Sequence, residues 1–297
     1  MRLLRLLAVP VGVIVVVGMG TTAEAEGREI LVRYAGLGDC DCAPWKLWMR
    51  DGRVIKLPEA RVFSVGGRRA PLALSPDGRY VAYFQLKDGA LVIREMSTGT
   101  VRSVPGVTWS RELRTARLDL APAGRYVVLG NGRDSQVIDA QSGMSSAVPL
   151  GLRPWSFSPD AKFVLAVDDS FRAGIYSTSP WGETGRVPVG GALSPDGRTV
   201  AHFTARDSAI SLWDVATGKA ITLRPIALPA RKIPIRLRWD GEGRLDLQMV
   251  TPRRARGRIG VPYAWYRVDP TTGRAWRIGA FTVPSSVRHP IVTGLAP

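Results

Sequence analysis

Residues 72–84 read LALSPDGRYVAYF, and the phrase decides the fold because it comes back. It recurs as LDLAPAGRYVVLG at 118–130, SFSPDAKFVLAV at 156–167 and ALSPDGRTVAHF at 192–203, with a worn copy, LRWDGEGRLDLQMV, at 237–250. Aligned on the turn glycine or its substitute (Gly78, Gly124, Ala161, Gly197, Gly243), the copies fall 36 to 46 residues apart. Each holds an alternating apolar run, a Ser-Pro-Asp-Gly reversal and a β-branched, aromatic run. Proline presets φ at the second turn position, aspartate caps the turn locally and glycine accepts φ > 0. The phrase therefore predicts a short antiparallel hairpin.

About a dozen residues further on, most copies carry a second hairpin: LVIREMSTGTVRSVP at 91–105, QVIDAQSGMSSAVP at 136–149, AISLWDVATGKAITL at 209–223 and AWYRVDPTTGRAWRI at 264–278. Each repeat is thus two hairpins, or four antiparallel strands, A to D. One such sheet cannot cover both its faces, so neighbours must stack, and closing the ring protects the edges. A repeat of this length is the spacing of propeller blades.

The SPDGR turn between strands A and B resembles the signature of the TolB-type, WD-repeat-like propeller family, over residues 72–278. That resemblance implies protein–protein interaction in a cell envelope. The turn residues themselves build the hairpin and speak to fold, not function.

The ends of the chain complete the ring. Arg2 and Arg5, the apolar stretch 6–20 and Ala23-Glu24-Ala25 read as a secretory signal peptide cleaved after Ala25. The mature chain would then open Glu26-Gly27-Arg28 followed by EILVRY, which is the glycine–arginine–strand B part of a repeat without its strand A. The other terminus supplies it, since Leu295-Ala296-Pro297 placed before Glu26-Gly27-Arg28 nearly repeats the LAPAGR of 120–125. Residues 291–295 are expected to form the inner strand of the blade whose other strands are 29–34, 46–49 and 54–57. The expected architecture is all-β: a six-bladed β-propeller of four-stranded antiparallel blades, closed by the C-terminal strand pairing with the N-terminal blade. The blades fall near 26–62 with 286–297, 70–105, 116–149, 154–189, 190–224 and 235–279.

Charge is the main functional signal. The 297 residues hold 41 Lys and Arg against 25 Asp and Glu, a net charge of +16, and only six of the bases are lysines. Such a balance favours polyanions or anionic surfaces. In a propeller the A–B and C–D turns share one face, and there the charges look balanced: Asp77 with Arg79, Asp160 with Lys162, Asp196 with Arg198, Glu242 with Arg244. The B–C and D–A loops share the other. Onto it the sequence places Arg61, Arg68, Arg69, Arg111, Arg114, Arg117, Arg153, Arg231, Lys232 and Arg236, and the TPRRARGRIG loop with Arg253, Arg254, Arg256 and Arg258. Glu59, Asp88, Glu112, Asp134, Asp168, Asp169 and Asp207 oppose them, and Trp45, Trp109, Trp155 and Tyr263 lie in or beside these loops. The expected binding set is Arg68, Arg69, Arg111, Arg114, Arg231, Lys232, Arg253, Arg254, Arg256 and Arg258 with Trp109, because arginine grips carboxylate and phosphate bidentately. A solvated arginine-rich surface is the plainer alternative. The expected partner is a protein or an acidic envelope polymer, with no specific nucleic acid, membrane contact at most peripheral, and the chain a monomer.

Cys40 and Cys42 are the only cysteines. In an oxidising compartment they are expected to pair as a local loop staple, although the tight C-x-C geometry leaves an exchangeable pair open. Two sulfurs alone half-fill a tetrahedral metal site, so neither metal nor cofactor is expected. No G-x-S-x-G elbow or Walker loop occurs, and no catalytic residue is assigned. The alternative is a propeller enzyme of lyase, lactonase or hydrolase type using the central channel. It would need carboxylates or histidines converging on the axis, whereas the strand-A residues Leu72, Ala73, Leu74, Leu118, Leu120 and Leu193 are apolar. His202 reads as a strand residue, and Trp239, Trp265 and Trp276 as core. Asp139, Asp214 and Asp269 read as turn stabilisers.

Overall fold

The computed structural model describes residues 30–38, 40, 43–63, 69–110, 113, 116–130, 134–149, 151–205, 208–229, 232–251 and 260–294. The expected signal peptide and residues 295–297 lie outside them. Blade 1 takes β1 (Val32–Leu37), β2 (Trp45–Met49) and β3 (Val54–Leu57); blade 2 takes β4 (Leu72–Leu74), β5 (Tyr80–Phe84), β6 (Ala90–Glu95) and β7 (Val101–Thr108). Blade 3 is β8 (Arg117–Leu120), β9 (Tyr126–Gly130), β10 (Ser135–Asp139) and β11 (Ser145–Ala147); blade 4 is β12 (Arg153–Phe157), β13 (Phe163–Val167), β14 (Ala173–Thr178) and β15 (Trp181–Val187). Blade 5 is β16 (Ala192–Leu193), β17 (Thr199–Thr204), β18 (Ala209–Asp214) and β19 (Ala220–Pro225); blade 6 is β20 (Ile233–Trp239), β21 (Leu245–Val250), β22 (Gly260–Val268) and β23 (Ala275–Pro284). The last strand, β24 (Arg288–Val292), returns to blade 1, giving six four-stranded sheets, the first in the order β24-β1-β2-β3.

The ring is therefore the expected six-bladed propeller, closed as expected by its C-terminal strand. Tyr34 faces Val292 and Ala35 faces Ile291 across an antiparallel ladder. The bounds differ from the sequence reading by about three residues: the closing strand is Arg288–Val292 rather than 291–295, and its partner Val32–Leu37 rather than 29–34. In the other blades a covalent turn ties strand A to strand B at the A–B end. In blade 1 no turn does, so the pairing slides toward the opposite end. Thr293 and Gly294 become a latch instead. Thr293 donates through Oγ1 to the Arg33 carbonyl (3.0 Å), its own carbonyl accepts from Gln248 Nε2 (3.2 Å), and the Gly294 carbonyl accepts from Trp265 Nε1 (3.1 Å). Blades 1 and 6 are thereby fastened together.

The apolar residues collect between blades, because each sheet covers its neighbour's face. Leu47 and Met49 of blade 1 pack with Leu72, Val81 and Tyr83 of blade 2, and a like cluster fills each following interface. The closing interface is the aromatic one: Phe281 stacks on Tyr34, Tyr263 and Trp265 at centroid distances of 5.2 to 5.8 Å. Trp239 and Trp265 are core as expected, but Trp276 is 50% exposed. It sits on β23, an outer strand that no further strand covers.

The repeated turn owes more to its serine than the sequence reading allowed. Ser75, Ser158 and Ser194 are buried, and each Oγ donates to the aspartate two residues on (2.5 to 2.7 Å) while accepting the backbone N–H five residues on (2.9 to 3.0 Å). The aspartate meanwhile accepts the N–H of Arg79, Lys162 or Arg198. On the C–D turns Asp139, Asp214 and Asp269 cap their own loops, as their turn-stabilising reading expects.

Candidate functional site: the central channel and the loop face

The inner strands of the blades surround a cavity of about 810 Å³ whose lining includes Arg117, Asp119, Trp155, Phe171, Arg236 and Arg238. Strand alternation explains how charge gets there. On β8, Leu118 and Leu120 are buried while Arg117 and Asp119 are turned to the channel. On β20 a bulge between Pro234 and Arg236 breaks the alternation, and every residue from Ile233 to Arg238 lines the cavity.

Two corrections follow. Arg117, Arg153 and Arg236 are not on D–A loops but on the inner strands β8, β12 and β20. The apolar strand-A residues chosen to test the channel, Leu72, Ala73, Leu74, Leu118, Leu120 and Leu193, are buried, and most of them represent the blade-facing half of the alternation. The channel lining adds charged and aromatic residues to apolar ones, Leu74 and Leu120 among them.

Arg117 Nε lies 2.6 Å from Asp119 Oδ2. Arg236 forms no ion pair or side-chain hydrogen bond with any described residue, and Arg238 Nη1 is buried with no hydrogen-bond partner. Arg236 is open to channel water yet surrounded by protein, and burial, reinforced by the Arg117 charge and opposed by Asp119, holds its guanidinium below the ordinary range. Burial likewise brings Arg238 down to about 10, although Asp77 pulls the other way. Burial raises the Asp119 carboxyl against the pull of Arg117 and Arg236. His202, on β17 as expected, lines the cavity with its Nδ1 2.7 Å from the Gly190 carbonyl oxygen.

The two mouths differ. At the A–B turns a second cavity, about 520 Å³, is lined by bases and acids that meet. Arg267 binds Asp246 (2.9 Å) and Asp240 (3.3 Å), and Arg244 binds Asp240 (2.6 Å) and Glu242. At the opposite end Trp155 and Phe171 pack edge to face at 5.7 Å under the Arg153 guanidinium.

Of the expected binding set, Arg69, Lys232 and Trp109 are described. Arg69 is bridged to Phe63 and its Nε is buried without a partner. Lys232 donates to Tyr266 Oη at 2.8 Å and sits over that ring. Trp109 is half-buried, edge-on to Phe84 in the interface of blades 2 and 3. Arg68, Arg111, Arg114, Arg231, Arg253, Arg254, Arg256 and Arg258 lie outside the described residues. Cys40 is disulfide-bonded; Cys42 also lies outside the described residues.

Three of the acids expected to offset that face are engaged locally. Glu59 accepts from Tyr83 Oη (3.2 Å) and Arg94 Nη1 (2.9 Å), and its charge together with burial pushes Tyr83 up to about 12. Asp88 caps its own turn, and Asp168 accepts from Ser170 N, Arg172 N and Arg172 Nε. Among the described residues no group of three or more His, Cys, Asp or Glu is placed to hold a metal, and no helix is long and apolar enough to cross a membrane.

No protein-family model and no curated protein matches the sequence. Solved structures similar to the chain include hydrazine synthase of Kuenenia stuttgartiensis (16% identity, 78% of this chain and 68% of that one, TM-score 0.45) and TolB from Acinetobacter baumannii (17% identity, 88% and 66%, TM-score 0.49). At these values the likenesses carry no inference about activity or partner. The class of the protein, a six-bladed β-propeller, stands on its own sheets.

Proposed function

We propose that the chain is an extracytoplasmic, non-catalytic binding propeller that takes an acidic protein or envelope polymer on its B–C/D–A face. One observation carries the reading: Glu59, Asp88 and Asp168, three of the acids on that face, are held by their own loops and neighbours, while the sequence places more than a dozen bases there. The TPRRARGRIG segment joins the ends of β21 and β22 and is the densest part of that surplus. The signal-like start, with cleavage after Ala25, supports export, and a Cys40–Cys42 bridge fits an oxidising compartment. The mature protein, a monomer, is expected to stay on heparin–agarose above physiological salt. Changing Arg253, Arg254, Arg256 and Arg258 to Ser moves elution to lower salt. Elution of the wild type at low salt would end the reading.

A second reading, a propeller enzyme working in the channel, is favoured by Asp119, a carboxyl raised by burial inside a cavity. Turnover of a lactone or ester that vanishes in Asp119→Asn would support it; equal rates in both proteins would remove it.

A further inference from the structure

The channel has features that a polymer-binding outer face does not need. Four of the large apolar residues exposed on this chain, Trp155, Phe171, Ile233 and Ile235, all line one cavity, with exposures of 46 to 49%. Exposed apolar side chains gathered in a concave site mark a place where something else is covered. Ile233 opens β20 at its D–A connection, Phe171 comes from a B–C loop, and Trp155, midway along β12, packs against Phe171, so the apolar collar stands toward that mouth. Arg236 and Arg238 follow further along β20 toward the A–B end.

The charges beneath the collar do not cancel. Arg117 is matched by Asp119 at 2.6 Å. Arg236 has no ion pair with a described residue, and Arg238 has a buried Nη1 with no acceptor. A cation held among protein groups without a matching acid is costly, and the cost falls when an anion supplies one. Arginine presents its donors as a fork that fits carboxylate and phosphate oxygens.

We propose that the channel binds a small amphipathic organic anion, its carboxylate or phosphate head on Arg236 and Arg238 and its apolar body against Trp155 and Phe171. The cavity, about 810 Å³, has room for a ligand of drug-like size. The protein around them depresses both arginines, Arg236 although it is open to channel water and Arg238 half-buried, and an anionic head would offset that. The site uses none of the outer arginines of the expected binding set and goes beyond the polymer-binding reading.

Calorimetric titration of the mature protein with 2-naphthoate, its neutral counterpart 2-naphthol and acetate tests it. Saturable binding of one 2-naphthoate per chain is expected, with 2-naphthol and acetate each weaker by about tenfold or more, the scale of one charged hydrogen bond or of the lost aromatic burial. Arg236→Gln and Trp155→Ala should each weaken 2-naphthoate by about tenfold, melting profiles confirming that both variants fold. Absence of saturable binding, equal binding of 2-naphthol, equal binding of acetate, or an unchanged affinity in folded Arg236→Gln would each overturn the proposal. The wild-type comparison of charged and neutral ligand decides the matter even where a variant does not fold. The variant with Arg253, Arg254, Arg256 and Arg258 changed to Ser should keep 2-naphthoate binding, which separates failure of this site from failure of the outer face.

Discussion

At the scale of single residues, the stability of the wheel rests on short polar side chains in its turns. Ser158 is buried and bonds both Asp160 and the N–H of Phe163. Ser158→Ala leaves that N–H without its partner and should cost about 1 to 3 kcal/mol in a urea titration. A loss under about 0.5 kcal/mol would show that water replaces the hydroxyl. The turn carboxylates also fix the pH response. Hydrogen bonds from neighbouring backbone and hydroxyl groups hold Asp196, Asp214 and Asp269 below the ordinary carboxylate range. Their folded values lie below their unfolded ones, near 3.9. The stability they contribute is therefore present above about pH 4 and is lost as pH falls through the folded values. Asp119, raised by burial, works in the opposite sense but is one group against several. Urea midpoints should be level from about pH 7 to 5 and fall below about pH 4; midpoints that rise on acidification would contradict this.

At the scale of elements, the same turn glycine plays two parts. Gly78 (φ +78°) and Gly243 (φ +74°) both need the left-handed region. A Cβ on Gly78 would lie 2.3 Å from the Val32 carbonyl, where β1 of blade 1 docks through the Val32 N–H to the Gly78 carbonyl, whereas one on Gly243 meets nothing. Gly243→Ala should cost about 1 to 2 kcal/mol from the backbone alone. Gly78→Ala should cost clearly more because it also separates two blades, and equal losses in thermal melts would show that the joint yields freely. The tryptophans divide by strand position in the same way. Trp265→Ala should cost about 3 to 5 kcal/mol, while Trp276→Ser on the exposed outer strand should shift stability by no more than about 0.5 kcal/mol.

At the scale of the whole molecule, closure is the decisive event. Removing residues 291–297 takes away Ile291 and Val292 of the closing strand, and with them the acceptors of the buried donors on Gln248 and Trp265. Each stranded donor costs about 1 to 3 kcal/mol, and blade 1 loses the part of its inner strand that pairs with Tyr34 and Ala35. The truncated chain should melt at a sharply lower temperature. An unchanged melting curve would mean that the ring holds without its latch. A milder change, Thr293→Val, keeps the shape and removes the bond to Arg33, for about 1 kcal/mol.

The repeat made the architecture legible before any coordinates. Turn chemistry is local, so Ser-Pro-Asp-Gly announces its hairpin wherever it stands, and repeated sheets that cannot cover themselves have to close a ring. The split blade was legible too, because the missing strand of residues 26–34 appears at the other end of the chain. The register of that closing strand was not, since only a covalent turn fixes register locally and here the chain has none. The channel was hidden for a related reason. Which residues of an inner strand face the axis depends on a bulge at Pro234–Arg236 and on how neighbouring sheets stack. Those are outcomes of packing between segments over a hundred residues apart in sequence, such as β8 and β20. Composition announced a basic protein; tertiary structure alone decided that Arg236 and Arg238 stand inside the wheel, because strand pairing and blade stacking set which residues line the channel.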